Sequence, residues 1–392
     1  MKVKEKLWTA NFLVLIPLAL FLFVNNTIYT SIATTYVAQL ENAGALGGLV
    51  NSANAVPALM CRIFAGRWLD HGQRKMIIYI GLAGFVLAAA GYACMPGIWL
   101  LILLRAVDGA AFSVATTACQ TVATDIIPES RMAEGLSYYS MSNSMSQAIS
   151  SAIAVSLWNN YGFQAFSKVS FFLMGISFIF TLFFLKTKRL EKSAAKAPKD
   201  SCFSPGRPAR AAAFMFSIAI FNVIRTLYAP KFAIENGIEW IGIFFVLMAV
   251  CSIATKLSGK KLFYLCPVKF ILAGAIMLNS LSFVLLLHSK NMVFMIAAAI
   301  CAGIATGLDQ PIMSAEAVKG ISGRHRGKAN GIFMCGNDLS MILGSFFWSF
   351  AAGLVGTDGL FLTAFAGLLC VSFCYMVYLF VRRRELAFDE VL

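Results

Sequence analysis

The sequence predicts an all-α membrane protein, with twelve transmembrane helices arranged as two six-helix bundles around a central cavity. Three observations predict it. Hydrophobic residues make up 59% of the 392 residues and charged residues only 13%, about half the charge a soluble domain carries. The apolar residues fall into runs of roughly 20, the length a helix needs to cross hydrocarbon. A polar, basic segment divides these runs evenly, six on each side. This composition excludes a disordered chain, a collagen-like fibre and an ordinary soluble enzyme. Helices are expected because a spanning strand requires a closed barrel and an alternating pattern.

In chain order, the first six spans are residues 9–30, 45–65, 76–95, 98–123, 134–157 and 164–185. The start, Met1–Lys6 followed by apolar residues, has the look of a signal peptide, but the run continues past Phe23 and further spans follow. Residues 186–210 then carry eight Lys or Arg together with Pro198, Pro205 and Pro208. The second six spans are 211–230, 238–257, 264–287, 292–315, 329–354 and 360–381. The expected domains are an N-terminal bundle over 1–189, a cytoplasmic linker over 190–210 and a C-terminal bundle over 211–392. No residue-level repeat is evident, so the symmetry rests on hydropathy alone.

The net charge of +14 follows the same layout. Arg105 and Arg225 fall inside apolar spans. Lys168, Lys231 and Lys290 fall in one set of loops, and the remaining Lys and Arg in the alternate loops, at the span ends facing them, or in the tails. That asymmetry places the linker and both termini in the cytoplasm of a cell whose plasma membrane the chain crosses. No basic stripe is interleaved with stacking aromatics, so nucleic acid is not an expected partner. Eight of the ten cysteines lie in or at the ends of spans, where Cys behaves as a small hydrophobe, and no CxxC pair occurs. With three His and no H-E-x-x-H, no metal is expected. No nucleotide-binding loop G-x-x-x-x-G-K-[ST] is present, and no other cofactor is expected. ATP is therefore not expected as a direct energy source.

Several short segments are specific. The loop after span two reads Gly66-Arg-Trp-Leu-Asp70-His-Gly-Gln-Arg74-Lys75. Gly66 permits close helix approach. Asp70 is suited to accepting N–H groups at a helix start or to pairing with Arg74. Span four carries Arg105-Ala-Val-Asp108-Gly109, with Arg105 and Asp108 on one helical face. Asp125–Gly135 follows that span, Gly323–Gly331 precedes span eleven, and Asp338 lies within span eleven. These segments resemble the major facilitator superfamily: the first is similar to its motif A, the second to its motif B, and the two loops to those of bacterial efflux members. Gln73 stands where motif A has Gly, and Asp108 where motif B more often has Gln. Span five has Ser142-Asn-Ser-Met-Ser146-Gln-Ala-Ile-Ser150 and lacks the Gly-Pro that antiporters of the superfamily carry there.

The resemblance implies a secondary transporter that exposes its cavity alternately to each side. Gly66, Asp70, Arg74 and Lys75 would form its gating loop. Isolated polar residues within spans mark the candidate site. Asn25, Asn26, Gln120, Asn222, Arg225 and Asn337 are substrate-cavity candidates. A carboxyl group in hydrocarbon favours its neutral form, so Asp108, Asp309 and Asp338, with Arg105, are proton-coupling candidates. Arg105 and Arg225 would tune these acids or bind an anionic group. Structural alternatives exist for each: Asn and Gln join helices, and an Arg–Asp pair can simply neutralise itself. The expected function is proton-coupled efflux of a small organic molecule by a monomer in contact with lipid. Uptake by symport or uniport is the alternative, and a non-transporting receptor or lipid-handling protein a second.

Overall fold

The computed structural model describes residues 7–39, 47–71, 73–94, 97–185, 203–238, 240–265 and 267–389. The expected linker residues 190–202 and Gly72 of the motif A loop lie outside the described residues. Ten α-helices carry the described chain and no strand occurs there: α1 (Ala10–Gln39), α2 (Gly47–Asp70), α3 (Arg74–Ala93), α4 (Ile98–Ile126), α5 (Met132–Phe184), α6 (Gly206–Glu235), α7 (Ile241–Leu265), α8 (Val268–Leu287), α9 (Met292–Val318) and α10 (Arg326–Asp389).

Ten helices hold the twelve expected spans because two of them are double. α5 has 53 residues, about 80 Å if straight against a hydrocarbon core of about 30 Å. It is not straight. Ser150 donates to the Val24 carbonyl at 3.2 Å, and Ser170 donates to Asn25 Oδ1 at 2.6 Å. Two adjacent residues of α1 thus meet two residues of α5 that a straight helix would hold about 30 Å apart. The chain therefore doubles back between them. α10, with 64 residues, is broken at Gly356, whose φ of 67° is one that glycine adopts freely. Nine helical segments among the described residues are long and apolar enough to cross a membrane. α2 and the first leg of α5 fall outside that set, and the stretch Gly323–Val381 is counted once although it spans the break.

Outward faces are apolar, with Trp99, Phe183 and Phe346 each at least three-quarters exposed, as lipid contact requires. Lipid tails are as apolar as Leu, so helix association rests on close packing and polar bonds. α2 packs on α4, α3 on α4 and α1 on α5. The α1–α5 contact uses serines eight residues apart: Ser142 donates to the Ile16 carbonyl at 2.9 Å and Ser150 to Val24. The core between these helices is built from Leu15, Leu18, Leu22, Leu82, Phe85, Ala115 and Val122.

The chain forms two compact units, residues Met1–Ala209 with Ser314–Asp338, and residues Arg210–Met313 with Leu339–Leu392. The division falls inside α9 and α10. In the second unit, α6 packs antiparallel to the later leg of α10: Phe214 meets Tyr375 edge-on, and Phe232 meets Phe361 at a tilt. Trp348, in the earlier leg, donates to the Ile220 carbonyl at 2.7 Å.

An internal repeat absent from the residue pattern is present in the element boundaries. The starts of α2, α3, α4 and α5 recur at α7, α8, α9 and α10 with one constant displacement, and so do the single 3₁₀ turns Glu129–Arg131 and Gly323–His325 that precede α5 and α10.

Candidate functional site

Buried ionic groups gather in three places. The first lies in α4. Arg105 and Asp108, both 1% exposed, pair at 2.7 Å across one turn. Asp108 Oδ2 also accepts from the Tyr92 hydroxyl at 3.2 Å and the Asn54 amide at 3.3 Å. Arg105 Nη2 donates to Thr30 at 3.1 Å. Asp108 Oδ1 and Arg105 Nε have no hydrogen-bond partner. One carboxylate thus faces one guanidinium with an oxygen to spare. Nearby on α1, Asn25 is engaged by Ser170, and Asn26 Oδ1 is buried without a partner.

The second place is the first unit's junction of α2, α4 and the start of α10. Arg62 grips Asp338 with two bonds, Nε at 2.5 Å and Nη2 at 3.2 Å, and Nη1 reaches Thr116 at 3.2 Å and Thr117 at 3.1 Å. One turn and more below, Gly66 meets Gly327: a Cβ on Gly66 would lie 2.9 Å from the Gly327 carbonyl oxygen. That close approach is the reason for a glycine at position 66. Asp70 accepts the Lys328 N–H at 3.2 Å, in the first turn of α10, and lies 3.6 Å from the Lys328 ammonium and 3.8 Å from His325. Of the two roles open to Asp70, it takes the helix start. Arg74 pairs instead with Asp125 and donates to the carbonyls of Leu69 at 2.8 Å and Gly323 at 2.5 Å. Arg74 is buried, not solvated. Lys75 sits over the Tyr79 ring at 5.3 Å. Asp70 lies beyond the apolar part of α2. Burial pushes its carboxyl up from the ordinary value, against the opposing pull of Lys328, His325 and Arg74. Asp125 also faces Arg326, which donates to the Thr124 carbonyl and to Glu129 at 3.1 Å. Gln120 donates to Ser314 at 2.8 Å, and Asn330 to Thr124 at 3.0 Å.

The third place is in the second unit. Arg225 donates to Asn279 at 2.8 Å, Ser282 at 3.3 Å and Asn222 at 3.0 Å. The Phe283 ring lies 5.4 Å from its guanidinium carbon. Asp309 is buried, accepts the Gln310 N–H at 2.6 Å, and leaves Oδ2 without a partner. Lys256 is buried too. Both cations interact electrostatically with Asp309.

Of the ionic groups placed in spans by the sequence, Arg105, Arg225 and Asp309 are almost fully buried, and the Asp338 side chain is 21% exposed. The first unit holds Arg105, Asp108, Asp338, Asn25, Asn26 and Gln120; the second holds Arg225, Asn222 and Asp309.

The model of the Major Facilitator Superfamily matches residues 15–278, about two-thirds of the chain. The chain belongs to the Major Facilitator Superfamily. It is a transporter of that superfamily and not an enzyme. It is similar to the staphylopine export protein of Staphylococcus aureus, 22% identical over 384 residues that cover 94% of this chain and 95% of the relative. Among solved structures it resembles the human organic anion transporter MFSD10 (TM-score 0.79, 14% identity, 93% of this chain and 99% of that one). It also resembles the superfamily transporter FucP in the outward conformation (TM-score 0.72, 16% identity, 93% and 98%). At these identities the structures establish the superfamily fold.

Two buried cations of this superfamily member escaped the sequence reading. Arg62 and Lys256 were assigned to span ends, four residues before Gly66 and one residue before the end of the eighth span. Both are 2% exposed. The signal was available: apolar residues continue past each, through Ile63–Phe64 and Trp68–Leu69 in one case and Leu262–Phe263 in the other.

Proposed function

We propose that this transporter exports a small organic molecule in exchange for protons, by alternating access, from a plasma membrane in which both termini face the cytoplasm. The observation that carries the reading is Asp309: a buried carboxylate with one oxygen unpartnered and no ion pair within reach among the described residues. Such a group takes up and releases a proton at lower cost than one gripped by an arginine. Asp338, held by two bonds from Arg62, is the structural partner in this scheme. Asp108, with one free oxygen, is the second proton candidate. The export activity for which the staphylococcal relative is named supports the direction. The working division is a bundle over 1–189, a linker over 190–210 and a bundle over 211–392, functioning as a monomer.

Everted membrane vesicles test the reading. Acidifying the vesicle interior should drive substrate accumulation, and Asp309→Asn should abolish that response while leaving the protein folded. Accumulation that ignores the pH difference, or that reverses with it, removes the antiport reading. Reversal would favour the symport alternative, for which the absence of Gly-Pro in span five speaks. In place of that motif, Ser142 and Ser150 bind α1 backbone carbonyls.

A further inference from the structure

The described end of the linker is seated on the chain that joins α9 to α10. Phe203 precedes α6 and Arg207 lies in its first turn, and both belong to the first compact unit. The Phe203 ring packs against the apolar core of that unit. Its centroid lies 5.6 Å from that of the His325 ring, and the Lys328 ammonium stands 5.8 Å from it. Arg207 Nη1 donates to the Lys319 carbonyl at 2.8 Å, just past the C-terminal end of α9. A cation is favoured at that end of a helix by the carbonyl dipoles. Gly320, with φ of 68°, turns the chain away there, and a Cβ on it would lie 2.9 Å from Arg207 Nη1.

The two side chains that Phe203 faces are the ones that flank Asp70. Asp70 Oδ1 accepts the Lys328 N–H at 3.2 Å. Asp70 Oδ2 is buried and makes no hydrogen bond; the Lys328 ammonium lies 3.6 Å from it and His325 Nδ1 3.8 Å. The hold on that second oxygen is electrostatic, so it depends on where these two side chains stand. Phe203 bears on both. A ring face attracts an ammonium placed over it, and a charge pair sheltered from water is screened less. The Asp70 side chain is 6% exposed and that of Lys328 35%, so the lysine is the member that solvent can draw away and the ring can retain.

In the two-bundle division, α2 belongs to the first bundle and α10 to the second, so the Asp70–Lys328 contact has to part whenever the cytoplasmic side opens. We propose that Phe203 and Arg207 form a latch on this contact. Phe203 positions Lys328 against Asp70, Arg207 fixes the linker to the end of α9, and together they hold the cytoplasmic side closed. Both are positioning residues: they set how often that side opens and touch no substrate. The inference rests on the alternating-access reading above and adds a control on one of its states.

The test places two spin labels on the full-length chain in nanodiscs, with the native cysteines replaced: Arg67→Cys in α2 and Arg324→Cys in the turn before α10. Both positions are exposed, and pulsed EPR reads the ratio of long, open distances to short, closed ones. Phe203→Ala should raise that ratio about two- to fivefold, the worth of one exposed cation–π contact, and Arg207→Gln should raise it too. Phe203→Trp should keep the closed state, whereas Phe203→Leu, apolar but without a ring, should not. Lys328→Met should open the contact by itself, and Phe203→Ala added to it should change little more. A ring that served only packing would be replaced by Leu, and its loss would add to that of Lys328. Unchanged distances in either Phe203→Ala or Arg207→Gln, a Leu variant as closed as the wild type, or additive effects of Phe203 and Lys328 would each overturn the latch. The Leu and Trp variants report even if the Ala variant misfolds. The readout needs neither substrate nor a pH difference. Labels that respond as expected, beside vesicles that ignore a pH difference, would leave the latch standing and remove the coupling. Labels that hold one distance in every variant, beside vesicles that respond, would remove the latch and leave the coupling.

Discussion

Removing both partners of the Arg62–Asp338 pair should cost clearly less than the two single removals added together. The pair is bidentate, at 2.5 and 3.2 Å, with the arginine 2% exposed and the aspartate side chain 21% exposed. Leaving one member of a buried pair without the other typically costs about 3–5 kcal/mol. Asp338 keeps some access to solvent, so Arg62→Gln belongs near the lower end, about 3 kcal/mol. Asp338→Asn leaves a guanidinium that water does not reach, though Thr116 and Thr117 still bind it, and about 3–4 kcal/mol is expected. In the double variant two neutral amides face each other and no charge is stranded. Its cost should fall below the sum by about 2–3 kcal/mol, the range of couplings between contacting residues. The assay is unfolding of the purified protein in mixed micelles, followed by helicity, for the wild type, both single variants and the double. Single costs below about 1 kcal/mol that simply add would refute the reasoning, because the pair would then be solvated rather than buried.

Gly327→Ala should lower stability by about 1–3 kcal/mol, the usual cost of overpacking, because its Cβ would lie 2.6 Å from the Gly66 carbonyl oxygen and 2.7 Å from the Leu69 Cβ. Gly175→Ala, with nothing within 4 Å of its Cβ, should be neutral or stabilising by up to about 1 kcal/mol in the same melts. Tyr92→Phe removes one hydroxyl bond to Asp108 and should cost about 1 kcal/mol, whereas Asp108→Asn strands Arg105 and should cost about 3–5 kcal/mol; the two are separated by denaturant titration. Asn330→Leu abandons the bonds to Thr124 and Gln120 and should destabilise by about 1–3 kcal/mol, read as earlier unfolding of the purified protein.

What was legible in the sequence was local. Arg105 with Asp108 and Arg225 with Asn222 are three residues apart, and helical geometry alone puts such pairs on one face. Burial was legible as well, because an ionic group inside an apolar run must turn inward. The identity of distant partners was not. Asp338 meets Arg62 across 276 positions, and Asp70 meets the start of α10 across 258. No spacing rule reaches that far. Arg74 with Lys75 reads as a solvated basic pair, yet Asp125 and two backbone carbonyls take Arg74 out of water.

The repeat escaped for a different reason. Between the two halves, what recurs is where helices begin and where two backbones touch, not which side chains occupy the positions. Gly109 and Gly303 recur because a Cβ would collide with a carbonyl at either place. Arg62 and Lys256 recur as charge and not as residue type. Around these fixed points the two halves diverge: the first unit's α4 holds Arg105 and Asp108, while α9 has Ala299 and Ala302 at the corresponding places, and Asp309 of α9 corresponds to Ala115 of α4. Both halves keep the geometry that packs helices in lipid, and the buried charged groups differ between them.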